Sequence, residues 1–191
     1  MFEHFAVVLT LLVAGTRGGE DFDPPPTNTE NALYKFWSSN DYMWTYRSNN
    51  PAKPLCRKEK RIQINKSEVN LTESLRATSA PNLGFQMWSF TRGLDRKYPS
   101  MALAIPNTTR LYQQTLLYHN QSGPCGVILY EVLWEKGSGS DEFYHTKHYN
   151  LLARGNPIQN AAMKCVKQYE TYVKRGVDPN DATFQVDGCD N

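Results

Sequence analysis

Along most of the chain, apolar and polar residues alternate in short runs, and this period of two gives way to a helical period only near the carboxyl end. DYMWTYR (41–47) puts Tyr42, Trp44 and Tyr46 on one face and Met43, Thr45 and Arg47 on the other, which predicts an aromatic-faced strand. Seven further strand-like runs follow: CRKEKRIQI, VNLTESLRATS, LGFQMWSFT, KYPSMALAI, TTRLYQQTLLYHN, GVILYEVLW (126–134) and EFYHTKHYNLL (142–152). Turn-forming segments (NKSE, SAPN, RGLD, PNTT, QSGPCG, KGSGSDE) separate them at the spacing of a meandering antiparallel sheet, not of βαβ units. Eight such strands lose their exposed edges by closing into an up-and-down barrel, whose interior is wide enough for one small ligand.

The period changes in NPIQNAAMKCVKQYETYVKRG (156–176). Asn156 is placed as N-cap, Pro157 suits the first helical position, and Gly176 stands where a left-handed residue would end the helix. Ile158, Ala161, Ala162, Cys165, Tyr169, Tyr172 and Val173 recur at steps of three and four, so one face lies against apolar surface. That face carries Cys165, which is placed to fasten the helix to a strand, and the nearest strand-end cysteine is Cys125. Upstream of the strands, TNTENALYKFWSS predicts a short helix capped by Thr27 or Asn28, with Ala32, Leu33, Phe36 and Trp37 as an apolar face able to close one end of the barrel. The fold expected is thus all-β with one C-terminal helix: an eight-stranded antiparallel up-and-down barrel over 41–191, preceded by an arm and short helix over 20–40.

Residues 1–19 hold an apolar run, Phe5 to Ala14, followed by small residues, the pattern of a secretory signal peptide with an n-region that lacks Lys and Arg. Ten apolar residues are too few to span a bilayer, and no later stretch is longer, so a secreted, extracellular protein with no membrane partner is expected. The four cysteines, an even number, suit an oxidising compartment, although sequence alone permits three pairings. Acceptor sequons at Asn65, Asn70, Asn107 and Asn120, all at turn-like positions, predict N-glycosylation.

Formal charge is +2 with neither sign gathered into a block, which argues against a nucleic-acid partner. The cluster Arg57, Lys58, Lys60, Arg61 is interrupted by Glu59 and reads as the solvated outer face of a strand. Aromatic content is the departure, with 11 Tyr and 4 Trp spread through the strands, and such residues must line either a packed core or a pocket.

In layout and cysteine spacing the mature chain resembles the lipocalins, and more narrowly the salivary lipocalins of ticks that include the histamine-binding proteins. The likeness rests on the pre-barrel helix, the first strand DYMWTYRSNN, and cysteines opening the second strand (Cys56), opening the seventh (Cys125), on the helix (Cys165) and near the end (Cys189). The resemblance implies pairings Cys125 with Cys165 and Cys56 with Cys189, the second pinning the tail across the barrel. The Gly-x-Trp signature of the lipocalin first strand is absent here, as it generally is in the tick branch.

No catalytic constellation is present: there is no HExxH, no Gly-x-Ser-x-Gly and no phosphate loop, and an enzyme is not expected. His145 and His148 would share a helix face as metal ligands, but on a strand their odd offset sends them to opposite faces, so neither metal nor cofactor is expected. Candidate ligand-binding residues are Tyr42, Trp44, Tyr46, Phe85, Met87, Tyr112, Leu116, Tyr118, Glu131 and Tyr144, although alternation does not say which face is inside. Glu131 inside the barrel would require a cationic ligand or a buried partner, and Glu131 outside would be an ordinary solvated carboxylate. Capture of an amine such as histamine or serotonin needs carboxylates beside aromatic faces. The middle strands LGFQMWSFT, KYPSMALAI and TTRLYQQTLLYHN contain no acid, leaving Asp41, Glu131, Glu135 and Glu142 as candidate amine partners. An apolar or amphipathic ligand (sterol, fatty acid or eicosanoid) is therefore favoured, with Gln113, Gln114, Arg92 or Arg110 meeting its polar groups. The function expected is that of a secreted salivary carrier that removes a small host-derived molecule and so suppresses host inflammation or immunity during feeding. The alternatives are an amine scavenger and a protein that acts by surface contact with complement or immune cells. The last would require apolar side chains such as Tyr98, Met101 and Leu103 to project from their loop.

Overall fold

The computed structural model describes residues 31–50, 57–75, 83–92, 98–120, 124–136, 142–176 and 184–185. The expected leader, the Pro-rich arm, Cys56 and Cys189 lie outside these. The described chain runs α1 (Ala32–Ser39), β1 (Tyr42–Ser48), β2 (Arg57–Ile64), β3 (Glu68–Leu75), β4 (Leu83–Arg92), β5 (Pro99–Ala104), β6 (Leu111–His119), β7 (Cys125–Glu135), β8 (Phe143–Ala153), α2 (Ile158–Gly176) and the two-residue β9 (Phe184–Gln185).

Each strand from β2 to β8 pairs antiparallel with the next in sequence. β1 closes the ring by dividing its two edges: Tyr42, Met43 and Trp44 face Lys60, Glu59 and Lys58 of β2, while Trp44 to Ser48 pair with Ala153 to Asn150 of β8. The result is the expected closed eight-stranded up-and-down barrel of lipocalin type with a C-terminal helix. β9 lies against the last residues of β1.

The helices bury the faces that their periodicity predicts. α1 puts Leu33, Phe36 and Trp37 into the interior core with Met43, Val69, Leu71, Trp88, Phe90, Met101, Leu116, Ile128 and Leu152, and so closes one end of the barrel. Phe36 fits because residue 126 is glycine: a Cβ there would lie 2.9 Å from the ring. The cap is Asn31, accepting from Leu33 N at 2.9 Å, rather than Thr27 or Asn28, so the helix starts later than expected. α2 lies outside the barrel, its Ile158, Ala161, Ala162, Cys165, Tyr169 and Val173 packed on Tyr46, Val127, Leu151 and Ala153. Its ends differ by about a residue from expectation, Ile158 being the first helical residue and Gly176 the last. The Cys125–Cys165 disulfide joins helix to barrel as predicted. Closing a 40-residue separation, it stabilises the fold by about 3–4 kcal/mol in the chain-entropy treatment.

Strand parity is interrupted. Extra residues at Tyr46 of β1, Ile62 of β2, Gly84 of β4 (opposite Thr72 and Glu73) and Leu117 of β6 each shift the register by one residue. Side chains beyond a bulge therefore exchange the inner face for the outer one.

Candidate functional site

At the closed end the barrel interior is apolar; further along it becomes charged. β2 sends Arg57 and Glu59 inward, where an Arg57 nitrogen lies 3.1 Å from Glu59 Oε1 and Arg57 Nε lies 3.2 Å from Glu73 Oε1 on β3, the latter a charge contact without hydrogen-bond alignment. Across the barrel, Gln114 of β6 donates its Nε2 to Glu59 Oε1 at 3.0 Å. The Arg57 guanidinium stands 5.3 Å from the Tyr130 ring centre. Tyr130 is in turn ringed by His148 at 4.8 Å, Tyr112 at 6.2 Å and Trp88 at 6.4 Å between ring centres.

Electrostatics follow from this packing. Burial opposes the Arg57 charge, but Glu59 and Glu73 outweigh it and hold the guanidinium protonated. Burial raises the Glu73 carboxyl, against the pull of Arg57. It also raises the Tyr130 hydroxyl, and together with Arg57 it pulls His148 down to about 4, so the imidazole is neutral at physiological pH. Arg57 thus serves both interior acids, Glu59 and Glu73. Glu59, 4% exposed, keeps Oε2 buried with no hydrogen-bond partner, and Gln114 Oε1 and Trp88 Nε1 are likewise unsatisfied. Two orphaned acceptors and one orphaned donor, the Trp88 indole N–H, thus stand among aromatic faces.

Of the predicted ligand residues, the structure brings Tyr112 and Leu116 to the interior. Tyr42, Trp44 and Tyr46 take the outer face: Tyr42 and Trp44 flank the Lys58 ammonium, 4.4 and 5.2 Å from their ring centres, and Tyr46 is buried under α2. It is Met43 and Thr45 that turn inward. Phe85 and Met87 are 75% and 54% exposed, while their neighbours Trp88 and Phe90 fill the core. Tyr118 is separated from Tyr112 and Leu116 by the β6 bulge and packs with the outer cluster under α2. Tyr144 is half exposed and stacks on Trp134, 5.4 Å between centres, toward the end of the barrel opposite α1.

Glu131 takes the outer face yet is only 4% exposed, because Gln113 at 3.1 Å, His145 at 3.0 Å and Lys147 at 3.3 Å surround its carboxylate. His145 and His148 do diverge to opposite faces, and no group of metal-ligating residues occurs among the described residues. Of the other polar candidates, Gln114 enters the interior, Gln113 remains on the outer face, Arg110 is exposed, and the Arg92 side chain lies outside the described residues. Met101 and Leu103 pack into the barrel core and do not project. Asp41, expected among the amine partners, is instead held by Arg154, which lowers its carboxyl below the ordinary range.

Arg57 and Glu59 correct the reading of RKEKR as a solvated face, which holds for Lys58 and Lys60. Ile62 and Ile64 suggest that the even positions of β2 face inward, but the bulge after Arg61 lets Glu59 and Ile64 share the interior and leaves Ile62 exposed. The pairing of the two acids depends on the same bulge. It was not a signal in the sequence: counted back from the NKSE turn without a break, Glu59 would face Ser74, and only the bulge after Arg61 sets it opposite Glu73, with Arg57 as the cation between the two like charges.

Neither the family models nor the curated proteins compared with this chain give a match.

Proposed function

We propose that this protein is a secreted carrier that binds a small amphipathic molecule inside its barrel, with a protonated amine at Glu59 and an apolar or aromatic body against Trp88 and Tyr130. The observation that carries this reading is the orphaned Glu59 Oε2, buried beside the equally unsatisfied Gln114 Oε1. Buried acceptors without donors are costly, and an ammonium would supply donors and charge together. The apolar ligand favoured by the acid-poor middle strands is displaced to second place, because the interior acids come from β2 and β3 instead. The apolar floor of Phe90, Met101 and Leu116 still suits a ligand with a hydrocarbon or ring portion. By analogy with the tick salivary lipocalins that the chain resembles, the biological role we propose is sequestration of a host mediator, which dampens inflammation or immunity during feeding. With Met101 and Leu103 in the core, the observations do not favour action through an apolar surface loop.

Titration calorimetry with serotonin and with N-acetylserotonin tests the site. The amine should bind at least tenfold more tightly than its uncharged N-acetyl form, and that preference should vanish in Glu59→Gln. Equal binding of both would overturn the cation reading. A sterol or fatty acid retained through native mass spectrometry, with no amine binding, would restore the apolar one.

A further inference from the structure

β3 carries the sequon Asn70-Leu71-Thr72, and the strand's alternation decides what surrounds it. Leu71 is buried in the barrel core, so Asn70 and Thr72 both face outward. On that outer face Asn70 pairs with Gln63 on one side and Met87 on the other, and Thr72 pairs with Lys60 and Phe85. Ile62, displaced by the β2 bulge beside Gln63, is 48% exposed, Met87 54% and Phe85 75%. Among the described residues, the most exposed large apolar side chains of β2 and β4 therefore flank one acceptor asparagine on the strand between them.

We propose that Asn70 carries an N-linked glycan whose first sugars lie across Phe85, Met87 and Ile62. This rests on the secretion reading above, since the transfer takes place in the secretory pathway. In that transfer Asn70 Nδ2 forms a bond to the anomeric carbon of an oligosaccharide carried on a lipid diphosphate. The bond from that carbon to the diphosphate oxygen breaks, the lipid diphosphate leaves, and the amide gives up one proton. The C–H face of an N-acetylglucosamine ring is about the size of an aromatic ring, and laying it on Phe85 removes apolar surface of both from water. The glycan thus takes the place that a second protein would occupy on an uncovered apolar sheet face. The other described sequon on these strands is differently placed. Asn65 Oδ1 accepts from Ser67 N at 2.8 Å, Ser67 Oγ at 2.8 Å and Glu68 N at 2.9 Å, so it belongs to the β2–β3 turn and not to the exposed face.

The test uses the full chain produced by cultured animal cells and collected from the medium. Enzymatic deglycosylation in heavy-oxygen water, followed by peptide mass spectrometry, should mark Asn70. Removing the acceptor by Asn70→Gln, or independently by Thr72→Val, should raise binding of a hydrophobic fluorescent dye several-fold. In a Phe85→Ser, Met87→Ser background the same removal should change dye binding little. Asn70 bare while Asn65, Asn107 or Asn120 bears sugar would overturn the inference alone. So would an occupied Asn70 whose removal leaves dye binding unchanged, or a glycosylated dimer that Phe85→Ser converts to monomer. A chain retained in the cell with no sugar at any sequon would overturn the secretion reading as well.

Discussion

Glu59 and Gln114, 55 residues apart, meet across the barrel interior: Gln114 Nε2 donates to Glu59 Oε1 at 3.0 Å, while Glu59 Oε2 and Gln114 Oε1 are left without a donor. That pair makes the interior of this barrel a polar site over an apolar floor. The consequences can be measured residue by residue.

Arg57 is the counter-ion for both interior carboxylates, and its loss leaves Glu59 and Glu73 opposite each other without a cation. Arg57→Ala should destabilise the fold by about 3–5 kcal/mol, the usual cost of breaking a buried pair. Urea unfolding would show this, and a loss below about 1 kcal/mol would mean that the cluster is solvated.

Trp44 lies on the outer face beside Lys58, and Trp88 lies in the core. Trp44→Ala should leave serotonin affinity within about twofold, whereas Trp88→Phe, which removes the unsatisfied indole N–H, should weaken it several-fold. The opposite ranking in calorimetry would reverse the assignment of inner and outer faces.

Acid should weaken the fold through His148. Its folded value of about 4 lies below its ordinary 6.5, so the unfolded chain takes up the proton first. Stability from this group is fully present above about pH 6.5 and is lost progressively down to about pH 4, a change of about 3 kcal/mol. Glu73, raised by burial, acts in the opposite sense: its contribution is fully present below its ordinary 4.5 and is lost as pH rises through its folded value. Denaturant unfolding between pH 7 and pH 4 should therefore show a decline that His148→Gln reduces. An unchanged pH profile in that variant would show that the imidazole is not held neutral.

Removing the tether between α2 and β7 with Cys125→Ser and Cys165→Ser together should cost about 3–4 kcal/mol. The expected readout is a lower melting temperature with the strand content of the circular dichroism spectrum retained.

Gly126 makes room for Phe36, the residue that brings α1 onto the barrel end. Gly126→Ala should cost about 1–3 kcal/mol by overpacking. A partial rescue by Phe36→Leu, measured as a double-mutant cycle, would place the strain at that contact.

The number and order of the barrel strands, the buried faces of both helices and the Cys125–Cys165 link were legible in the sequence, and the two-residue β9 was not. Each depends on local periodicity: a helix that carries Ile158, Ala162, Cys165, Tyr169 and Val173 on one side can bury only that side. The binding site was only partly legible, because alternation divides a strand into two faces without saying which is inside. Tyr42, Trp44 and Tyr46 look like a cavity lining, yet α2 and Lys58 cover that face from outside. Tyr118 looks equivalent to Tyr112 and Leu116 until the bulge between Leu116 and Tyr118 separates them. Arg57, Glu59 and Glu73 look solvated because charge usually is. Only closure of β1 on β2 brings them face to face with Gln114 and Tyr130, where each carboxylate is worth keeping because a cation stands within reach. Sequence by itself determined the elements, whose formation depends on neighbours within a few residues. Tertiary structure decided which faces enclose the interior, because bulges and ring closure set that parity and neither leaves a local signature.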